Sequence, residues 1–245
     1  MLDTVREQLL APRYLGWLLE GWLVTVWASL WVILASTVLG TLLAAARTGP
    51  VPALQRAGAA YVALVRNTPL LVQLFFWYFG APALLPEALR EWLFSGQVLL
   101  HWPVTLRWPA FEVLCAFVGL TLYSTAYVGE DIRSGMRGVP LAQRLAAQAM
   151  GFTPAQALRH VVLPQALRIA LAPLFGQYMN IVKNTSLAMA VGLVELSYAS
   201  RQVEAETFKT FQSFGIATVL YIATIAVLEL LAARAVRRWP PAGAR

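Results

Sequence analysis

Two short stretches set a cation, an amide and a hydroxyl side by side within apolar surroundings: Arg66-Asn67-Thr68-Pro69 and Lys183-Asn184-Thr185-Ser186. An ionisable group inside an apolar run is costly, and usually faces a polar path or a partner. Two such cations lining one cavity would attract carboxylates, which suits an acidic or zwitterionic small molecule. The alternatives are that Arg66 snorkels to a phosphate and that Lys183 pairs internally. Gln73, Asn180, Asn184 and Ser186 add neutral hydrogen-bonding groups, and Asn180, Lys183, Asn184 and Leu187 share a face at helical spacing. The candidate path-lining set is therefore Arg66, Asn67, Gln73, Asn180, Lys183, Asn184 and Ser186. Glu229 reads as a helix–helix contact, and the aromatic run Phe75 to Phe79 as an interfacial belt.

Groups for covalent or metal chemistry are missing. The sequence has no G-x-x-x-x-G-K-[ST] phosphate loop and no H-E-x-x-H. His101 and His160 stand alone, no metal site is expected, and the single cysteine, Cys115, sits in an apolar run.

The elements that must position these residues are apolar. The chain of 245 residues is 59% hydrophobic and 13% charged, whereas a soluble domain is about 45–50% apolar and about 25% charged. Lipid is the implied solvent. Five runs are long enough to span a bilayer, at about 17–46, 57–79, 110–133, 165–191 and 211–233, and they imply one all-α membrane domain over 1–245. Prolines 69 and 173 are expected to interrupt the second and fourth runs. The segments 81–109 and 192–210 read as loops. The N-terminal stretch does not read as a secretory signal, because Asp3 and Glu7 offset Arg6 and the first apolar run is too long.

The net charge of +7 does not point to nucleic acid, since no dense basic patch or recognition motif accompanies it. Most arginines follow the first, third and fifth runs, among them Arg47, Arg56, Arg133, Arg144, Arg234 and Arg237. By the positive-inside rule these segments are cytoplasmic, which puts the N-terminus outside and the C-terminus inside.

The loop 138–164 carries the strongest local signals. Pro140 can open a helix, and Leu141 to Met150 is rich in alanine and leucine, both good helix formers. Gly151 can end that helix in a left-handed conformation. Thr153-Pro154-Ala155-Gln156 then spells a new start, with a threonine cap and a glutamine completing a capping box. Small residues Ala146, Ala147 and Gly151 let another backbone approach closely. An amphipathic helix lying on the membrane is the other reading.

Ala146-Ala147, Gly151, Val161 and Leu163-Pro164 resemble, at matching spacing, the EAA coupling motif of ATP-binding cassette importer permeases. Val65 to Phe76, Ala126-Tyr127 with Glu130, Leu163 to Arg168, and Lys183 to Leu187 are similar to signatures of the polar amino acid branch. The wording around Arg66 and Phe76-Trp77-Tyr78 is closest to glutamate/aspartate permeases.

The resemblance implies an importer-permease (MetI-like) fold in the bacterial inner membrane. It implies a translocation path shared with a second permease subunit, identical or not. An ATPase dimer would bind ATP and magnesium and receive the coupling helix through Leu145, Ala146, Ala147 and Gly151. An extracytoplasmic solute-binding protein would deliver the cargo, and the chain itself would be a transport subunit without catalysis. One departure is that Leu145 stands where the motif has glutamate, which removes a charged contact. Basic amino acids remain an alternative cargo, and an ion-coupled carrier working alone is the alternative from a different class.

Overall fold

The computed structural model describes residues 10–95, 98–100, 106–107 and 109–240. His101 and the N-terminal residues Asp3, Arg6 and Glu7 lie outside them. Helices dominate: α1 (Pro12–Thr48), α2 (Pro52–Arg66), α3 (Leu70–Phe75), α4 (Glu87–Phe94), α5 (Phe111–Gly138), α6 (Leu141–Ala149), α7 (Pro154–Ala157), α8 (Leu163–Asn184), α9 (Leu196–Thr207) and α10 (Thr210–Arg238). A two-stranded antiparallel ribbon, β1 (Val98–Leu100) and β2 (Leu106–Arg107), is the one exception among the described residues to the expected all-α class.

By length and composition α1, α5 and α10 can each cross a membrane, and α2 with the segment after it qualifies only as a pair. Lipid suits α10, which exposes Val219, Ile222, Val227 and Leu230. Some hydroxyls inside these helices are satisfied locally. Thr37 and Thr41 each donate to the carbonyl four residues back, at 2.6 and 2.7 Å, as hydroxyls do where water is absent.

Several expected boundaries move. The second run is not one helix: α2 ends at Arg66 and α3 begins at Leu70, because Asn67 to Pro69 leaves helical geometry and proline restricts the residue before it. The fourth run is not interrupted at Pro173, which α8 carries inside it. α8 instead stops at Asn184, and Thr185–Val191 continues as a tighter 3-10 helix. The segment 192–210 is not a loop. It contains α9, whose Leu196, Ala199, Ser200 and Val203 are buried at the spacing of one helical face. Within 81–109 lies the helix α4 as well.

Two compact units emerge. The first draws on the described parts of Met1–Val32 with Thr68–Tyr123 and Ile181–Ala223. Its core joins Leu18 of α1 to Leu196, Ala199 and Val203 of α9 and Ala217 of α10. The second draws on Ile33–Asn67, Ser124–Asn180 and Thr224 onward. There Ala44, Val128, Ile132, Met136, Val139, Val162, Ala166 and Leu174 form a core between the later half of α1, the later half of α5 and the first half of α8. Val139 and Val162 bracket the expected coupling loop, so both its ends are anchored in that core. Small residues permit the tight packing usual between membrane helices. A side chain at Gly135 of α5 would collide with the carbonyl oxygen of Ala166 in α8.

Candidate functional site

Each of the two cationic motifs closes a helix. Arg66 is the last residue of α2, and Lys183 the last but one of α8, where a positive charge complements the helix macrodipole. The carbonyls freed at these ends find side-chain donors. Thr185 Oγ1 donates to the Val182 carbonyl and Ser186 Oγ to the Lys183 carbonyl, both at 2.7 Å. Gln73 Nε2 donates to the Thr68 carbonyl and to Thr68 Oγ1, both at 3.1 Å. Thr185, Ser186 and Gln73 thus have a structural duty at the breaks.

Arg66, Asn67, Asn180 and Lys183 are exposed, whereas Gln73, Asn184 and Ser186 are half-buried. Within the first unit α3, which carries Gln73, packs on the 3-10 segment that carries Ser186. Arg66, Asn67 and Asn180 belong to the second unit, and Gln73, Lys183, Asn184 and Ser186 to the first. The Arg66 guanidinium lies 5.1 Å from the centre of the Tyr127 ring, a cation–π arrangement.

The loop after α5 has the local geometry that its sequence spells. Gly151 has φ +82°. The amides of Gly151 and Phe152 donate to the carbonyls of Gln148 and Ala147, at 2.9 and 3.1 Å, which is the Schellman closure of α6. The capping box follows: the Gln156 amide donates to Thr153 Oγ1 at 3.3 Å, and the Thr153 amide to Gln156 Oε1 at 2.9 Å. Ala147 is fully buried, Ala146 is exposed, and Leu145 is 55% exposed alongside Leu141 and Met150. An apolar surface therefore stands where a glutamate would have offered charge. Arg144 donates to the Met136 carbonyl at 2.7 Å and ties α6 to the last turns of α5.

Two polar networks escaped the sequence reading. Glu130 of α5 is ion-paired with Arg47 of α1, and with Arg133 at 2.8 Å. The spacing of Glu130 and Arg133 is the one signal that could have found it. The second network surrounds Glu195, which is wholly buried at the start of α9. It accepts from Tyr221 Oη at 2.6 Å, the Tyr198 amide at 2.9 Å and Thr25 Oγ1 at 3.3 Å. Among the described residues no cation is in ion-pair contact with it. Burial pushes its carboxyl above the usual range, against the pull of those hydrogen bonds.

Comparison with known proteins gives a consistent picture. Residues 36–239 match the family model described as the binding-protein-dependent transport system inner membrane component. The glutamate/aspartate import permease protein GltJ of Escherichia coli K12 is 34% identical, with 91% of this chain and 89% of GltJ covered. The probable glutamine ABC transporter permease protein GlnM of Bacillus subtilis 168 is 34% identical, over 83% of this chain and 84% of GlnM. The histidine/lysine/arginine/ornithine permease HisM of Escherichia coli K12 is 31% identical, over 91% of this chain and 89% of HisM. Among solved structures, an amino acid ABC transporter with histidines superposes with a TM-score of 0.74 at 23% identity, over 92% of this chain and 95% of that one. The inward-facing MetNI methionine ABC transporter superposes at 0.71 and 20% identity, over 94% of this chain and 99% of that one. These two likenesses establish the fold.

Proposed function

Since the chain belongs to the family of binding-protein-dependent transport system inner membrane components, we infer that it is the permease subunit of an ATP-driven amino acid importer. The observation that carries this reading is the α6–Gly151–α7 knuckle, a helix closed by a Schellman turn and followed at once by a capping box. It stands between two chain segments anchored in the core of the second unit. A rigid, solvent-facing knuckle is what a separate motor chain needs in order to push.

In this reading residues 1–245 form one membrane domain with five crossings. α2 with α3 forms the second, and α8 forms the fourth, its apolarity diluted by Arg168, Gln177 and Lys183. The N-terminus lies outside and the C-terminus in the cytoplasm, in keeping with the arginine distribution. ATP and magnesium belong to a partner ATPase dimer that receives residues 141–157. A second permease subunit completes the path, and an external solute-binding protein delivers the cargo. Closure of the ATPase dimer moves α6 and α7, and the anchored α5 and α8 follow as a rigid group to give alternating access. Arg66, Asn67, Gln73, Asn180, Lys183, Asn184 and Ser186 supply the polar lining.

The cargo is a polar amino acid, with the acidic class favoured by the two cations and by GltJ among the relatives. HisM keeps the basic class as the second reading. The test is uptake of labelled L-glutamate, L-glutamine and L-arginine into liposomes holding the full assembly, with and without internal ATP. ATP-dependent uptake of glutamate supports the acidic reading, and preference for arginine replaces it with the basic one. Failure to take up any amino acid with ATP overturns the permease reading.

A further inference from the structure

Between the α1–α2 turn and the knuckle lies a cavity of about 570 Å³, a volume that admits a drug-sized group and so a bulky side chain. Pro50, Val51 and Leu54 line it from the turn and the start of α2, and Pro154, Leu158 and Val162 from the knuckle and the chain that follows. Polar atoms along these walls have local partners. Thr48 Oγ1 donates to the Ala44 carbonyl at 2.9 Å, and Gln55 Nε2 to the Gly49 carbonyl at 2.6 Å. Arg144 and Gln148 of α6 complete the lining. Arg144 is the only charged residue from Val139 to Leu158. It spends one guanidinium nitrogen on the Met136 carbonyl at 2.7 Å, and no carboxylate among the described residues is in ion-pair contact with it. Leu141 and Leu145 stand one helical turn from Arg144 and Gln148 respectively. Both are exposed, as are Val51 and Leu54. Exposed apolar side chains gathered around one cavity mark a contact with protein or membrane.

We propose that this cavity receives an apolar side chain of the partner ATPase, and that a carboxylate near that side chain pairs with Arg144. The motor's docking surface then reaches beyond residues 141–157 to the α1–α2 turn. Continuity is the first argument, because α6 carries both the exposed Leu141 and Leu145 and the cavity-lining Arg144 and Gln148. Charge is the second. With Leu145 at the motif's glutamate position, the knuckle offers a cation and no anion, and the complementary surface is acidic. A lipid head group suits the cavity less, since anionic lipid sites gather several lysines or arginines and one arginine lines this one. The proposal rests on the reading of the knuckle as the motor's docking point.

The test is photocross-linking in the intact assembly, reconstituted in lipid nanodiscs with its ATPase. The probe p-benzoylphenylalanine is placed at Leu54, at Val51 or at Leu145 in three separate variants, and mass spectrometry identifies what each captures. All three are expected to capture the ATPase, the first two on a segment that carries an aspartate or glutamate within a few residues of the adduct. Arg144→Glu should then weaken ATPase binding at least about tenfold, and reversing the captured acid to lysine should restore part of it. Loss of the Arg144–Met136 bond alone would not respond to the partner's charge. Probes at Leu54 and Val51 that capture lipid, the second permease subunit or nothing overturn the inference, as does an Arg144→Glu defect unmoved by the partner's reversal. If the Leu145 probe still captures the ATPase in those cases, the inference alone fails. If no probe captures it and ATP drives no uptake, the reading of the knuckle fails first.

Discussion

Arg47, in the last turn of α1, is ion-paired with Glu130 of α5 across 83 positions of sequence. The same carboxylate takes Arg133 from its own helix at 2.8 Å, so about one turn of α5 is fastened to the end of α1 close to the loop that carries the knuckle. All three side chains are largely shielded, which lets the charges interact strongly and makes the loss of one partner costly.

Replacing Glu130 with alanine leaves two shielded guanidinium groups with no carboxylate between them. The expected outcome is a clear drop in the thermal midpoint of the solubilised assembly, worth up to about 3 kcal/mol as for other shielded pairs that lose one partner. The double variant Arg47→Ala with Glu130→Ala should cost less than the sum of the singles. Differential scanning fluorimetry of the four proteins checks this, and strict additivity would remove Arg47 from the network.

Gly135 faces the Ala166 carbonyl so closely that no Cβ fits. Gly135→Ala must push α5 away from α8, at a cost of about 1–3 kcal/mol for overpacking a tight contact. The expected result is a lower midpoint and weaker capture of the ATPase subunit, since these two helices carry the ends of the loop proposed to couple to it. A variant as stable as wild type would show that the helices can separate freely.

How much of this was legible beforehand depends on range. The Schellman turn and capping box at Gly151, Thr153 and Gln156 were readable because every partner lies within a few residues. The apolar runs and the break near Pro69 were readable for the same reason. The charges of Arg201, Glu204 and Glu206 mask α9 in the sequence, although Leu196, Ala199, Ser200 and Val203 mark one helical face. Pro173 was misread because a proline in an apolar helix need not break it. Pairs such as Arg47–Glu130 and Thr25–Glu195 form between distant segments, and no local pattern announces them. Among the candidate residues, Arg66 and Lys183 stand out in the sequence by type, as cations within apolar runs.

At Gly151 the backbone is left-handed. Gly151→Ala should cost about 1 kcal/mol, the αL penalty less the entropy that alanine saves in the unfolded chain. The larger effect is expected in transport, with fewer amino acids imported per ATP hydrolysed, because the knuckle is re-aimed. Parallel assays of uptake and phosphate release measure that ratio, and an unchanged ratio would detach the knuckle from coupling.

Glu195 gives a dependence on pH. Its folded-state carboxyl titrates above the unfolded one, so the native state holds a proton that the unfolded chain has released. Its contribution to stability is full below the unfolded value of about 4.3 and is lost as pH rises through the folded value. Glu195→Gln, neutral throughout, should match wild type in acid and gain on it as pH rises towards neutrality. Thermal midpoints of both proteins across that range check the sign, and an advantage of glutamine that shrinks with rising pH would reverse it.

The account stands most directly on whether transport needs a motor. Liposomes holding this chain with its ATPase, second permease and solute-binding protein should import amino acid only when ATP is hydrolysed. A proton or sodium gradient across liposomes that lack the ATPase should drive none. Gradient-driven uptake by the permease chains alone, unaffected by ATP, would contradict the account and make the chain an ion-coupled carrier.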